Sequence, residues 1–383
     1  MNYAEDALRL HEKHRGKLEV RSKVPLKDRN DFSLAYTPGV AAVSEAIAKN
    51  PEDVYKYTIK GNTVAIVSDG SAVLGLGNIG AAAAIPVMEG KAAIFKELAG
   101  IDAFPICLDT HDPQEIIRTV RNIAPVFGGV NLEDIKAPEC FTIEAALQDL
   151  GIPLMHDDQH GTAVVVLAAL TNALRVTNKD KQQVRVVING AGSAGVAITK
   201  LLIEAGFPPA HVLLCDTKGI IYAGRPDTSG VKEELSRITN ERKLTGTLHE
   251  AIKDADVFIG VSKGNLLSEQ DVTSMAKDAI VFALANPVPE IMPDKARAAG
   301  AAIVASGRSD FPNQVNNSLA FPGIFRGALD ARATRITTAM KLAAAQALAS
   351  SITKPKTDEI LPFATDKKIV PAVAAAVSKA WRA

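Results

Sequence analysis

The chain has 383 residues, 47% of them apolar, and its 43 basic and 43 acidic side chains balance to a formal net charge of zero. That length can bury substantial cores and points to two or three domains. The charge balance leaves no whole-protein field to draw in nucleic acid or an anionic membrane, so small molecules are the default partners.

Cys107, Cys140 and Cys215 form no CxxC pair and read as reduced core thiols. The stretch Met1 to Val20 is charged throughout and lacks the apolar core of a signal peptide. No apolar run approaches the ~20 residues of a membrane helix, and the expected location is the cytoplasm.

In chain order, Tyr3 to Arg15 reads as a charged helix and Arg15 to Arg29 as a basic connector, a solvated arm or a dimer-exchange segment. Pro38 and Gly39 then break any element and hold Tyr36 near a turn. Thr63 to Val67 is a buried strand, Ala81 to Leu98 a helix ending at Gly100, and Ala103 to Leu108 a second strand. Pro113 to Ile123, Val126 to Val130, Cys140 to Leu150 and Ile152 to Met155 continue as helix, strand, helix, strand. This alternation predicts parallel βαβ units.

Two stretches fit GxGxxG. The first, Gly75 to Gly80, is separated from its strand by an Asp69-Gly70-Ser71 turn, and no acid follows at the right spacing, so it reads as a tight turn before a helix. The second, Gly190-Ala191-Gly192-Ser193-Ala194-Gly195, directly follows the strand Val184 to Asn189 and opens the helix Val196 to Ala205. Gly190 permits the turn, Gly192 lets backbone approach a pyrophosphate together with the N–H groups of Ser193 and Ala194, and Gly195 lets helix and strand pack closely.

The next strand, His211 to Cys215, ends at Asp216, about twenty residues on, where a carboxylate accepts from ribose hydroxyls. Strand, glycines, helix, strand and acid together specify a dinucleotide site. Asp216 favours NAD over NADP, because a 2′-phosphate would meet like charge, while Lys218 could swing toward that phosphate. Strands at Ala255 to Val261, Ala279 to Ala285 and Ala301 to Ala305 complete the sheet, and alanine-rich helices at about 323 to 352 and 370 to 382 cover it.

The acids Glu133, Asp134 and Asp158 follow consecutive predicted strands, so they can converge at the carboxyl edge of the first sheet. Three such carboxylates repel one another unless a divalent cation sits among them, and oxygen-only ligation favours Mg²⁺ or Mn²⁺ over Zn²⁺. His156 and His160 have the i, i+4 spacing of helical zinc ligands, but Pro153 and Gly161 bracket a stretch that reads as loop, so they are expected to be structural or to stand behind the metal ligands. Asp158 also fits a plain helix cap.

With these residues in view, the chain resembles the malic enzymes (oxaloacetate-decarboxylating malate dehydrogenases), in particular the short bacterial and archaeal form. The landmarks run in order from Tyr36-Thr37-Pro38-Gly39-Val40 through Ser68-Asp69-Gly70, Glu89-Gly90-Lys91, Asn131-Leu132-Glu133-Asp134 and His156 to Thr162. They end with Ala285-Asn286-Pro287 and Asn316-Asn317 before Phe321-Pro322-Gly323.

The resemblance implies Tyr36 as general acid, Lys91 as general base and Asp157 as the carboxylate supporting proton transfer. It also implies Glu133, Asp134 and Asp158 as metal ligands, Asn286 and Asn317 as substrate contacts, with Asn286 also beside the nicotinamide, and a homodimer. Without it, Lys91 reads as a helix-surface charge and Asn286 as an ordinary turn before Pro287. Larger members carry a substrate-binding arginine within the segment equivalent to Gly70 to Leu74, where this chain has Ala72.

The expected fold is α/β. Residues 1–160 form a catalytic and metal domain, 161–325 a Rossmann-type NAD(P)-binding domain, and 326–383 C-terminal helices packed on the core. The expected activity is metal-dependent oxidative decarboxylation of (S)-malate to pyruvate with reduction of NAD(P)⁺. The alternatives are a relative that decarboxylates oxaloacetate or makes lactate, and a nucleotide-sensing module without catalysis.

Overall fold

The computed structural model describes residues 3–73 and 75–382, so Met1, Asn2, Leu74 and Ala383 of the predicted segments lie outside the described residues. Two sheets organise the chain. The first has β1 (Thr63–Ser68), β2 (Asp102–Cys107), β3 (Gly129–Leu132) and β4 (Leu154–His156) in the order β2-β1-β3-β4, all parallel.

The second contains β5 (Val186–Asn189), β6 (Val212–Asp216), β7 (Gly219–Ile220), β8 (Val257–Gly260), β9 (Ile280–Ala283) and β10 (Ile303–Ser306), ordered β10-β9-β8-β5-β6-β7. Its neighbours run parallel except for the β6–β7 hairpin, an antiparallel edge too short to show as a hydrophobic run. Each sheet has a switch point, between β1 and β3 in the first and β5 and β8 in the second. There, successive connections leave in opposite directions and open a crevice at the carboxyl ends.

Side-chain alternation explains the layers. Val64 and Ile66 of β1 and Val186 and Ile188 of β5 point into one shared core, while Ala65 and Val67 face an outer layer of the first sheet and Val187 an outer layer of the second. Through the shared core runs the helix Asp157–Thr177, packed on the helices Ser193–Glu204 and Thr338–Ser350. It is long and apolar enough by composition to cross a membrane, a length the sequence reading did not anticipate, yet 67% of its apolar window is buried inside the protein.

Some predicted elements shift. Ala124–Val126 forms a 3-10 turn around Pro125, so β3 starts later than Val126. Gly39 begins a helix, Gly39–Lys49, with Pro38 as its N-cap, rather than ending one. The C-terminal cover divides into Phe321–Asp330, Thr338–Ser350 and Ile369–Arg382.

The largest correction concerns the stretch from Asp157 to Gly161, read from sequence as loop. It is the first turn of the helix Asp157–Thr177. Gly161 does not break that helix: a Cβ there would lie 1.8 Å from Asp157 Oδ1, so glycine makes room for the carboxylate.

Candidate active site

The first crevice collects charge. Lys91, buried on the helix Gly80–Ala99, places its ammonium 2.9 Å from Glu133 Oε1 and donates to Asp157 Oδ2, with the Phe321 ring 4.5 Å away. Burial alone would depress this lysine, but Asp157, Glu133 and Asp158 more than offset it and hold Lys91 above its ordinary value. The depressed lysine that suits a general base is thus not the state this set of groups produces by itself.

Glu133, Asp134 and Asp158 each offer an oxygen, and these lie within 4.8 Å of one another. Glu133 follows β3, where its N–H donates to Val67 O at 2.9 Å and Asn131 Nδ2 donates to its Oε2 at 2.8 Å. Asp134 takes a left-handed conformation (φ 52), and its N–H donates to Asp158 Oδ2 at 2.9 Å.

Desolvation comes first in pushing Glu133 up to about 7, with Asp158 adding repulsion against the pull of Lys91. For Asp134, desolvation and then Asp158 and Glu133 raise the carboxyl to about 9. Asp134 Oδ2 and Asp157 Oδ1 are buried without a hydrogen-bond partner. Mutually repelling, underbonded oxygens of this kind fit a hard divalent cation such as Mg²⁺ or Mn²⁺.

Neither histidine is one of those three residues, although His156 Nδ1 lies 3.7 Å from Asp158 Oδ2. His160 Nε2 lies 2.8 Å from Glu144 Oε1 and its Nδ1 3.0 Å from Lys341 Nζ. His156 is fully buried with neither ring nitrogen finding a hydrogen-bond partner, and burial holds it below its ordinary value. Glu144 also accepts the His156 N–H at 3.1 Å, tying β4 to the helix Glu139–Ala146. Glu144 and Lys341 carried no sequence signal, because they reach this centre from distant segments.

The second crevice is made of backbone. Gly190 (φ 121) turns beneath Val261, where a Cβ would meet the carbonyl at 2.8 Å, and Gly192 opens onto space with nothing within 4 Å. A Cβ at Gly195 would sit 1.7 Å from Gly190 O, which accounts for the third glycine, and Ser193 and Ala194 begin the helix between them.

At the end of β6, Asp216 accepts from Arg225 at 2.6 and 3.0 Å and from Lys232 at 3.0 Å. Burial would raise its carboxyl, but Arg225, the Lys218 N–H and Lys232 draw it down to about 2. The Lys218 ammonium is instead 2.9 Å from Asp227. The charge expected to repel a 2′-phosphate is therefore already paired, and Arg225 and Lys232, on a segment past β7, were not apparent from the fingerprint.

Loops from the two sheet edges touch. A Cβ on Gly75, in the loop leaving the first sheet, would lie 2.7 Å from the Asn286 carbonyl after β9. Asn317 packs beside the first turn of the helix Asp157–Thr177, 3.2 Å from a Cβ placed on Gly161. Asn286 thus abuts the Gly75 loop, and Asn317 abuts the helical turn that carries Asp157 and Asp158. Tyr36 does not join them: it caps the helix Arg29–Ala35, stacks edgewise on Phe32 and is 62% exposed.

A separate cleft of about 840 Å³ lies between the C-terminal half of the helix Asp157–Thr177 and the helix Thr338–Ser350, lined among others by Leu174, Arg175, Lys181, Phe207 and Leu342. Its Arg175 and Lys181 already donate to backbone carbonyls, and it holds none of the acids above.

Comparison with known proteins matches residues 15–115 to the family model "Malic enzyme, N-terminal domain" and residues 159–381 to "Malic enzyme, NAD binding domain". The bifunctional malic/malolactic enzyme of Bacillus subtilis is 55% identical over 99% of this chain and 93% of its own length. The NADP-dependent malic enzyme of Rhizobium meliloti is 47% identical over 98% of this chain, which spans 52% of that protein. The crystal structure of the NAD-dependent malic enzyme of Thermotoga maritima superposes with a TM-score of 0.94 at 51% identity, covering 97% of this chain and 98% of the other.

Proposed function

The chain belongs to the malic enzyme family, and from that premise we propose that it converts (S)-malate and NAD(P)⁺ to pyruvate, CO₂ and NAD(P)H. The observation that carries the reading is the Lys91 ammonium shared between Glu133 and Asp157, beside the three-oxygen cluster.

In this reading Lys91 takes the proton from the C2 hydroxyl as hydride leaves for the nicotinamide, and Asp157, hydrogen-bonded to it, relays that proton. Glu133, Asp134 and Asp158 would hold the cation. A Mg²⁺ or Mn²⁺ there supplies a Lewis acid for the substrate oxygens and positive charge to offset the carboxylates that keep Lys91 protonated. Asn286 and Asn317 orient malate from the opposite wall, covering part of what Ala72 lacks. Oxidation at C2 leaves oxaloacetate, whose C3–C4 bond breaks to release CO₂ with the electron pair kept in an enol, and Tyr36 protonates C3 of that enol to give pyruvate.

We assign the acid to the partner subunit of a homodimer. The helices Tyr3–His14, Arg29–Ala35 and Gly39–Lys49 bury no residue within the chain, and Leu8, Val20, Leu34 and Tyr36 are 73%, 91%, 69% and 62% exposed. Apolar surface of this extent marks an interface. Mixing inactive Tyr36→Phe and Lys91→Ala subunits should restore about one quarter of wild-type activity, because half the dimers carry one intact site. No recovery on mixing would place Tyr36 in the site of its own chain.

The domain division stays at residue 160, inside the first helical turn of Asp157–Thr177, with the cytoplasm as location. NAD is kept as the first cofactor to test, and the pairing of Asp216 with Arg225 and Lys232 supports use of NADP as well. Reduced-nicotinamide absorbance with malate, Mn²⁺ and each cofactor tests the whole reading. Lactate formation without net reduction would favour the malolactic activity named for the Bacillus subtilis relative, and cofactor binding without turnover would favour a sensor.

A further inference from the structure

Glu290 has no part in the chemistry above, yet it is a fully buried carboxylate between the two turns that border the cofactor crevice. Its Oε1 accepts the Ser262 N–H at 3.1 Å, after β8, and its Oε2 accepts the Ala285 N–H at 3.0 Å, after β9. Gly260 makes this approach possible, since a Cβ there would lie 2.4 Å from the Glu290 carboxyl carbon.

The backbone around Glu290 closes the same joint: its carbonyl accepts from Leu267 at 3.0 Å, and the Pro289 carbonyl accepts from Asn265 at 3.0 Å. On one side Ser262 Oγ accepts from Asn189 Nδ2 at 3.0 Å, the residue before Gly190. On the other, Ala285 precedes Asn286, whose carbonyl meets the Gly75 loop of the first sheet.

We propose that Glu290 is a positioning residue that locks the Ser262 turn to the Asn286 turn, so that the dinucleotide floor and the malate-facing wall hold one geometry. A hydrophobic residue could fill the volume but could not accept two N–H groups. A glutamine accepts one and presents its amide to the other, which breaks one half of the clamp. Burial raises the Glu290 carboxyl and only backbone N–H groups oppose that shift, so the clamp acts through hydrogen bonds rather than through a cation.

The inference rests on the reading of Asn286 as a malate contact, and the experiment separates the two. In Glu290→Gln, the Kd for reduced cofactor, read by fluorescence, and the KM for malate should each rise about tenfold while Mn²⁺ affinity stays unchanged. In an Asn286→Ala background, Glu290→Gln should add less than about twofold to the malate KM, because both changes act through one wall. Glu290→Asp, whose shorter side chain cannot reach both N–H groups at once, should raise both constants severalfold.

A lower melting temperature with both constants unchanged would overturn the proposal, as would losses at Glu290 and Asn286 that simply multiply. If Glu290→Gln does not fold, Glu290→Asp decides alone: a malate KM that stays at the wild-type value sinks the coupling. An unchanged malate KM in Asn286→Ala by itself would overturn the Asn286 reading instead, and the cofactor Kd of the two Glu290 variants would still judge the clamp.

Discussion

The two crevices are built by opposite means. At the edge of the first sheet, side-chain charge is packed beyond what burial tolerates, with Glu133 pushed up to about 7 and Asp134 to about 9. At the edge of the second, glycine backbone does the shaping, and the acid that ends β6, Asp216, is neutralised by Arg225 and Lys232 and pulled down to about 2. In the proposed reading the first crevice receives positive charge and moves a proton, while the second lets a phosphate chain lie against main-chain N–H groups. The contrast predicts that damage to one edge should leave the binding function of the other intact.

Lys91→Ala should produce the largest effect of this kind. Loss of the base should lower kcat by roughly 10²–10⁴. Reduced-cofactor affinity, measured by fluorescence titration, should stay at the wild-type value. Asp158→Ala should lower turnover as severely and should also abolish Mn²⁺ binding, which Lys91→Ala spares. A Lys91 variant that turns over malate normally would remove the proton-transfer role from the first edge.

A matched pair of glycine changes sharpens the comparison at smaller amplitude. Gly195→Ala drives a Cβ into Gly190 O, and Gly161→Ala drives one into Asp157 Oδ1. Each clash costs about 1–3 kcal/mol if neighbours yield, or roughly tenfold or more in the function that the displaced atom serves. Gly195→Ala should weaken cofactor binding with Mn²⁺ binding retained, while Gly161→Ala should lower kcat with cofactor binding retained. Equal damage to both functions in either variant would mean that the edges are mechanically one unit.

The same contrast explains what the sequence disclosed. The dinucleotide crevice was legible because it is local: strand, glycines, helix and acid follow one another from Val184 to Asp216, and each glycine has a steric reason visible in the motif. The charged crevice is assembled from the middle of one helix, the ends of two strands and the first turn of another helix. Convergence of Glu133, Asp134 and Asp158 followed from strand order, but Lys91 looked like surface charge until family resemblance singled it out. The helix under Asp157 to Gly161 was misread because glycine usually breaks helices, and only a three-dimensional contact with Asp157 shows why this one does not. Arg225, Lys232, Glu144 and Glu290 act across sequence gaps that no period or motif bridges.

Stability should record the two edges with opposite pH signatures. In the metal-free protein, Glu133 and Asp134 titrate above their unfolded range, so the folded state keeps protons that the unfolded chain releases. Stability is then highest at low pH within this pair and falls as pH rises from about 4 toward 9. Asp216 runs the other way: its contribution is present above about pH 4 and fades as pH falls toward 2. Thermal melts between pH 5 and 9 without metal should therefore slope downward by on the order of a few degrees, and saturating Mg²⁺ should flatten that slope. A flat metal-free profile would contradict the buried charge assigned to the first edge.

The smallest expected effect on function lies just behind the metal acids. His160 shares the first helical turn with Asp158, yet its ring is engaged by Glu144 and Lys341 and not by the oxygen cluster. Replacing it with alanine leaves Glu144 and Lys341 each short of a buried partner, which costs about 1–3 kcal/mol of stability. Mn²⁺ affinity should change by no more than about twofold, since Glu133, Asp134 and Asp158 keep all their oxygens. Calorimetric Mn²⁺ titration of His160→Ala beside Asp158→Ala checks this directly. If the histidine variant loses metal as completely as the aspartate variant, the first edge binds through nitrogen as well as oxygen, and its chemistry shifts from Mg²⁺ or Mn²⁺ toward Zn²⁺.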